Sequence, residues 1–177
     1  MKKQLFYAFI FIGIVVQFAV LTSNIILQEA ILRLGTVCRF QTAPVDPFDA
    51  FRGQYVALNF NAIDNIRVDG YSGKWWYLQI GSDTNGFATV ERVSDKRDVQ
   101  SPYLKMRVKW GYHLVVPFDR YYMPEKLAPE AEKAYLEANR RGKRDAAAVV
   151  RVWRGKAVIE DLEIDGMPVR EFLKQSP

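Results

Sequence analysis

The sequence predicts a mainly β protein of the α+β class: an N-terminal transmembrane helix with a short stalk, then a compact, mostly antiparallel β barrel or sandwich with one packed helix. Three observations carry this. Residues Gln4 to Gln28 hold no charge and are dominated by apolar side chains. Several later segments alternate apolar and polar residues with the period of two that a half-buried strand requires. One segment, beginning at Pro129, carries the signals of a capped helix. With 177 residues, 49% of them hydrophobic, the chain is long enough for one real core.

The elements follow in order. The apolar heart is Leu5 to Leu21, broken only by Gln17, and Leu5 to Leu27 would span about 34 Å as a helix, enough for the ~30 Å hydrocarbon core of a bilayer. Thr22, Ser23 and Asn24 sit at its outer end. A cleaved signal peptide is the competing reading of Lys2, Lys3 and the apolar run. Its h-region would be shorter, and neither Ala19-Val20-Leu21 nor Leu21-Thr22-Ser23 supplies a small-x-small site. A lipoprotein signal at Cys38 fails because Val37 precedes the cysteine and the apolar run ends well upstream. The run therefore reads as an uncleaved anchor. Lys2 and Lys3 ahead of it favour a cytoplasmic N-terminus and an extracytoplasmic domain. For a bacterium this means an inner-membrane protein with a periplasmic domain. Residues 1–4 form the cytoplasmic tail, 5–27 the anchor, 28–35 the stalk and 36–177 the domain. Glu29 and Arg33 at i,i+4 support a helical stalk, and Gly35 is a natural stop.

Strands are expected over Thr36–Gln41, Gln54–Asn61, Lys74–Ile80, Phe87–Val93 and Tyr103–Trp110, with a further one within Tyr112–Phe118. Thr84-Asn85-Gly86 marks a hairpin turn, and Asp69-Gly70 with Ser72-Gly73 marks a tight connection. Pro129 to Arg141 reads as a helix: proline suits the first turn, Glu130 and Glu132 favour its start, Arg140 and Arg141 its end, and Gly142 stops it. Ala147–Trp153 and Lys156–Ile164 form a hairpin about the two-residue turn Arg154-Gly155, and Val169–Lys174 a short terminal helix.

Composition narrows the chemistry. One cysteine excludes an intrachain disulfide, and one histidine argues against His-based catalysis and multi-His metal sites. Of the 25 basic residues, Lys2 and Lys3 precede the span, so the remaining 23 exceed the 20 acidic ones by three. That modest excess, the location and the absence of a known module argue against nucleic acid as a partner. Cys38 with His113 matches no nucleophile motif, and Ser23 has no lysine at a telling distance for a Ser–Lys dyad. Asp46 and Asp49 lack the 6–8 oxygen ligands calcium requires. No cofactor, metal or catalytic residue is assigned. The Arg140, Arg141, Lys143 and Arg144 run reads as the solvated end of a helix. Trp75, Trp76, Tyr77, Trp110, Tyr112, Tyr121 and Tyr122 are an aromatic surplus. Adjacent Trp75 and Trp76 must face opposite sides of a strand, one towards the core and the other less buried.

The segment from Thr42 to Phe60 contains Pro44-Val45-Asp46-Pro47, Phe51-Arg52-Gly53, then Gln54, Tyr55, Leu58 and Phe60. It resembles the GDYXXLXY family of bacterial membrane-anchored proteins. Gly53, Tyr55 and Leu58 match the motif, Gln54 stands for its aspartate and Phe60 for its last tyrosine. Arg120-Tyr121-Tyr122-Met123-Pro124-Glu125, ahead of a helix and two closing strands, also looks like the family. The resemblance implies a membrane-anchored protein of no established activity with a multispanning membrane protein as partner. The physics of the motif is structural. Pro44, Asp46, Pro47 and Asp49 are turn chemistry, Gly53 permits a close approach or positive φ, and Val56, Leu58 and Phe60 share an apolar face. Gln54 cannot replace a catalytic carboxylate, nor Phe60 a reactive hydroxyl.

These readings converge on a binding module: a scaffold in the envelope that meets another membrane or envelope protein through Arg52, Tyr55, Trp76, Arg120, Tyr121 and Glu125. The alternative is an envelope hydrolase or ligand-sensing domain with a pocket near Asp46 and Asp49.

Overall fold

The computed structural model describes residues 2–43, 55–69, 73–109, 113–124, 126–140 and 146–175. Helix α1 runs from Lys2 to Leu34. It is followed by β1 (Thr36–Ala43), β2 (Tyr55–Ala57), β3 (Asn59–Phe60), the short α2 (Asn61–Asp64), β4 (Trp75–Ser82), β5 (Ala88–Ser94), β6 (Tyr103–Lys109), β7 (His113–Val115) and β8 (Arg120–Tyr122). Helix α3 (Ala128–Arg140), β9 (Ala146–Trp153), β10 (Lys156–Ile164), β11 (Met167–Pro168) and α4 (Val169–Gln175) complete the chain. One antiparallel sheet has the order β11-β10-β9-β1-β3, a second β5-β4-β6-β7, and β2 pairs with β8. Isolated bridges from Arg39 to Phe87 and from Leu104 to Gly155 tie the two large sheets together. The mainly β architecture expected from the alternation is therefore the observed one.

The 33 residues of α1 extend for about 50 Å. Phe9–Leu34 is long and apolar enough to cross a membrane, and none of its most apolar window is covered by the rest of the protein. The stalk does not stand clear of the domain. Ile31 is buried and Leu27 half-buried, on the same side as Gly35, so spacings of four residues turn one stripe onto the sheet. The Gly35 N–H donates to the Ile31 carbonyl at 2.8 Å, closing the helix. A side chain at Gly35 would meet that carbonyl oxygen, and would lie 3.0 Å from the Arg151 Cβ and 3.1 Å from the Val152 nitrogen. Glycine is required here by close approach, in addition to its role as a stop.

The core sits between the sheets. Phe40, Phe60 and Phe118 form an aromatic trio with centroids 5.1–5.7 Å apart, joined by Leu78, Leu104, Met106, Val150 and Leu162. Helix α3 covers one side with Ala131, Tyr135 and Ala138, spaced to share one face.

Three expectations are corrected. The single strand expected over Gln54–Asn61 is two. β2 pairs with β8, and β3 pairs with β1; between them the Leu58 N–H donates to the Asp119 carbonyl at 2.9 Å. Val56, Leu58 and Phe60 all point inward, so the period of two continues while the pairing partner changes. The expected helix end at Arg141 and Gly142 lies outside the described residues, but the helix starts at Ala128, one residue early, with the Ala128 and Leu127 N–H groups bonded to the Pro124 carbonyl. Among the described residues, the strand expected within Tyr112–Phe118 is His113–Val115; Pro117 cannot donate to a ladder, and Phe118 turns into the aromatic trio. The Arg154-Gly155 turn is as expected: both residues have positive φ, 50° and 80°, the geometry of a type I′ hairpin. At the Thr84–Gly86 turn, Asp83 caps two N–H groups, of Asn85 and Phe87.

Candidate functional site

A cleft of about 340 Å³ opens where α1 meets the domain. Gln28 of the helix forms one wall. Arg120, Tyr121 and Tyr122 of β8, Glu160 of β10 and Arg170 of α4 form the others. Strand β8 reaches this position through β2: Tyr55 lies opposite Tyr122, Val56 opposite Tyr121 and Ala57 opposite Arg120. Alternation then buries Tyr121 and leaves its neighbours outward, Tyr122 being 64% exposed.

A β-bulge in β10 organises the cleft's polar groups. Ile159 pairs with Val150 and Asp161 with Val149, so Glu160 is the extra residue. The bulge sends the two neighbouring carboxylates to different partners. Glu160 accepts from Arg151 Nε at 2.7 Å and Nη2 at 3.0 Å, and Arg151 Nη1 also donates to the Gly35 carbonyl at 3.4 Å. Asp161 accepts the Tyr121 hydroxyl at 2.8 Å and the Leu162 N–H at 2.8 Å. A polar path thus links the end of the helix to the floor of the cleft: Gly35, Arg151, Glu160, then across the bulge to Asp161 and Tyr121.

Burial pushes the Tyr121 phenol up from its ordinary 10 to about 12, helped by the bond to Asp161 and its charge, with Arg170 opposing. The folded pKa lies above the unfolded one. The bond therefore contributes fully below pH 10, and its contribution is lost as the pH rises towards 12. Tyr121→Phe should cost about 0.5–1.5 kcal/mol near neutrality. It should also flatten the loss of stability between pH 10 and 12 relative to the parent protein, measured by urea unfolding across that range.

The structure brings two of the sequence-predicted binding residues, Arg120 and Tyr121, into one cleft, with Tyr55 across the ladder from Tyr122. Trp76 does not line it. Its ring packs against the core under the Lys74 ammonium, 4.9 Å from the centroid, and its indole N–H is buried without a hydrogen-bond partner. Trp75, its neighbour, is the exposed one. Leu58 of the motif is core. Arg52, Glu125, Pro44, Asp46, Pro47, Asp49 and Gly53 lie outside the described residues, and with them the pocket imagined near the two aspartates. Sequence reasoning missed Gln28, Glu160, Asp161 and Arg170. No local signal marks them, because the bulge and the fold-back of the stalk bring them together.

Elsewhere, His113 is exposed on β7 and Cys38 buried on β1. Burial raises the Cys38 thiol to about 11, so the nucleophilic thiolate is scarce at neutral pH. A disulfide reagent should modify Cys38 at least tenfold more slowly in the native protein than in denaturant, and equal rates would contradict its placement. Among the described residues, no group of three His, Cys, Asp or Glu side chains is placed to hold a metal ion.

Neither a curated protein nor a solved structure matches this chain. The family model described as GDYXXLXY protein matches residues 17–162, from the middle of the apolar helix to the end of the bulged strand. The chain therefore belongs to the GDYXXLXY family, as the motif residues Gly53, Tyr55 and Leu58 suggested.

Proposed function

We propose that this is a single-pass inner-membrane protein whose extracytoplasmic β domain acts as an interaction module for another membrane or envelope protein, received in the cleft beside the helix. The observation that carries this reading is the composition of the cleft: one wall is the anchor helix and the others are the domain. A partner seated there touches both as it leaves the bilayer. The helix is held to the sheet at Ile31 and Gly35, so the walls keep their spacing. The surfaces offered are an exposed tyrosine and two guanidinium groups, residue types enriched where proteins bind one another.

The test is co-purification of the tagged full-length protein from its native membrane in mild detergent, with identification by mass spectrometry. A stoichiometric partner should be captured, and Tyr122→Ala with Arg120→Glu should reduce capture at least tenfold, the scale of a modest hot spot, while leaving the unfolding midpoint unchanged. Capture that is unaffected by both changes would overturn the site. Protease added to the outer side of spheroplasts should digest the domain, whereas digestion only from the cytoplasmic side would overturn the orientation.

A further inference from the structure

A second surface lies away from the cleft, on the outer face of the sheet β5-β4-β6-β7. Cross-strand register puts Trp75 opposite Arg107 and Tyr77 opposite Lys105. The Trp75 ring is flanked by both cations, with Lys105 Nζ 4.5 Å and Arg107 Cζ 4.2 Å from its centroid. Lys105 also lies 5.9 Å from the Tyr77 ring, Arg97 5.9 Å from Tyr103, and Arg154 4.5 Å from Trp153. Tyr77, Arg97, Tyr103, Lys105 and Arg154 enclose a depression of about 410 Å³. Among the described residues, no carboxylate comes within ion-pair distance of Arg97, Lys105, Arg107 or Arg154. Nearby carboxylates are already engaged: Asp95 by Lys74 and Asp98 by Arg92 and Ser94. The result is a face of stacked cations that pair with no carboxylate among the described residues.

The fold places this face near the point where the chain meets the membrane. Thr36, the first residue after the helix and Gly35, pairs with Val152, so the Arg154-Gly155 tip lies two residues beyond the junction. Lys105 N–H donates to the Gly155 carbonyl at 2.9 Å, which fixes the cationic face to that tip. Helix α1 crosses the strands: Gly35 abuts β9 while Gln28 lies beside Ala157–Glu160 of β10. Seven residues of helix rise about 10 Å, the width of the two strand spacings of about 4.8 Å that separate β10 from β1, where the chain continues after Gly35. With the hydrocarbon edge near Leu27, the helix end at Gly35, which abuts β9 two residues before the hairpin tip, stands at most about 12 Å above it, comparable to the Debye length of about 10 Å. Leu34 and Val37, 64% and 47% exposed at this same level, present apolar surface to whatever lies there.

We propose that the domain lies on the anionic phospholipid surface of its own membrane, through the cations Arg97, Lys105, Arg107 and Arg154 and the aromatic rings they stack on. Charge complementarity selects a polyanion, and the tether selects the one that is always within reach. Lys and Arg near such a surface contribute about fivefold each to the docked population, and tryptophan and tyrosine favour the headgroup level. The proposal rests on the helix crossing a bilayer, but not on the partner in the cleft.

The experiment uses the full chain in nanodiscs of phosphatidylcholine alone or with phosphatidylglycerol at about 7:3, enough to give a strongly negative surface. The readouts are amide hydrogen exchange over 103–107 and 153–156 and quenching of tryptophan by brominated lipid. Exchange should slow at least tenfold in the anionic discs only, and the protection should vanish at about 1 M salt, where the Debye length falls to about 3 Å. Arg97→Glu, Lys105→Glu, Arg107→Glu and Arg154→Glu together should abolish it. Arg154→Asn, which keeps a residue suited to positive φ, should reduce the docked population about fivefold. Equal protection in both discs would overturn the proposal. So would protection that needs added polyglutamate or an acidic polysaccharide, which would assign the face to a soluble polyanion. Carbonate-resistant membrane association, measured in parallel, separates failure of this proposal from failure of the anchor reading.

Discussion

Phe60→Ala is expected to destabilise the domain by about 3–5 kcal/mol. The ring is fully buried and packs on Phe40 at 5.7 Å and Phe118 at 5.1 Å. Its strand is two residues long and holds the edge of the larger sheet against β1. Truncation leaves a cavity lined by two rigid rings, which cannot collapse into it as flexible side chains would. Domains are stable by only about 5–15 kcal/mol, so a large fraction of that margin would go. Urea unfolding followed by near-UV circular dichroism gives the number. Phe60→Leu, which keeps most of the volume, should cost far less. A loss below about 1 kcal/mol for the alanine variant would mean that the trio is not a packed unit.

Gly35→Ala is expected to cost about 1–3 kcal/mol, with an effect on geometry larger than that figure suggests. The added methyl group meets the Ile31 carbonyl and the Val152 nitrogen, both backbone atoms. No side-chain rotation relieves such contacts, so either the helix end or β9 must move. The Arg151 bond to the Gly35 carbonyl, already 3.4 Å, is the first to be lost. Hydrogen exchange should accelerate over the last turn of α1 and around Val152 while the centre of the sheet stays protected. Gly13→Ala is the control, since nothing lies within 4 Å of a side chain at that position. If Gly35→Ala leaves exchange at the junction unchanged, the helix is not held against the sheet as described, and the cleft loses its fixed wall.

The long helix was legible because an uncharged apolar run of more than about 20 residues has the length a bilayer demands, beyond what a buried core helix needs. The strands were legible where alternation persisted, as in Tyr103 to Lys109, where Leu104, Met106 and Val108 are buried and Lys105 and Arg107 are outward. Arg120–Tyr122 was legible only as part of a family pattern, since three residues with one inward side chain are too short for periodicity to register. The bulge at Glu160 was invisible for a related reason. An extra residue in a strand leaves the local composition unchanged and shifts only what each side chain meets.

By itself the sequence determined the apolar helix, the mainly β class, the Arg154-Gly155 turn and the inward face of Val56, Leu58 and Phe60. These depend on properties that a short segment carries with it: hydropathy, period and the φ a residue tolerates. The tertiary structure alone decided that β2 and β3 join different sheets, that the stalk folds across β9 and β10, and that Tyr121 meets Asp161, 40 residues away. It also decided that the exposed tryptophan of the pair is Trp75, with Lys105 and Arg107 both over its ring. Each of these depends on which distant backbone offers a free edge or an uncovered face. That choice is made by the packing of the whole domain, and no local window of residues contains it.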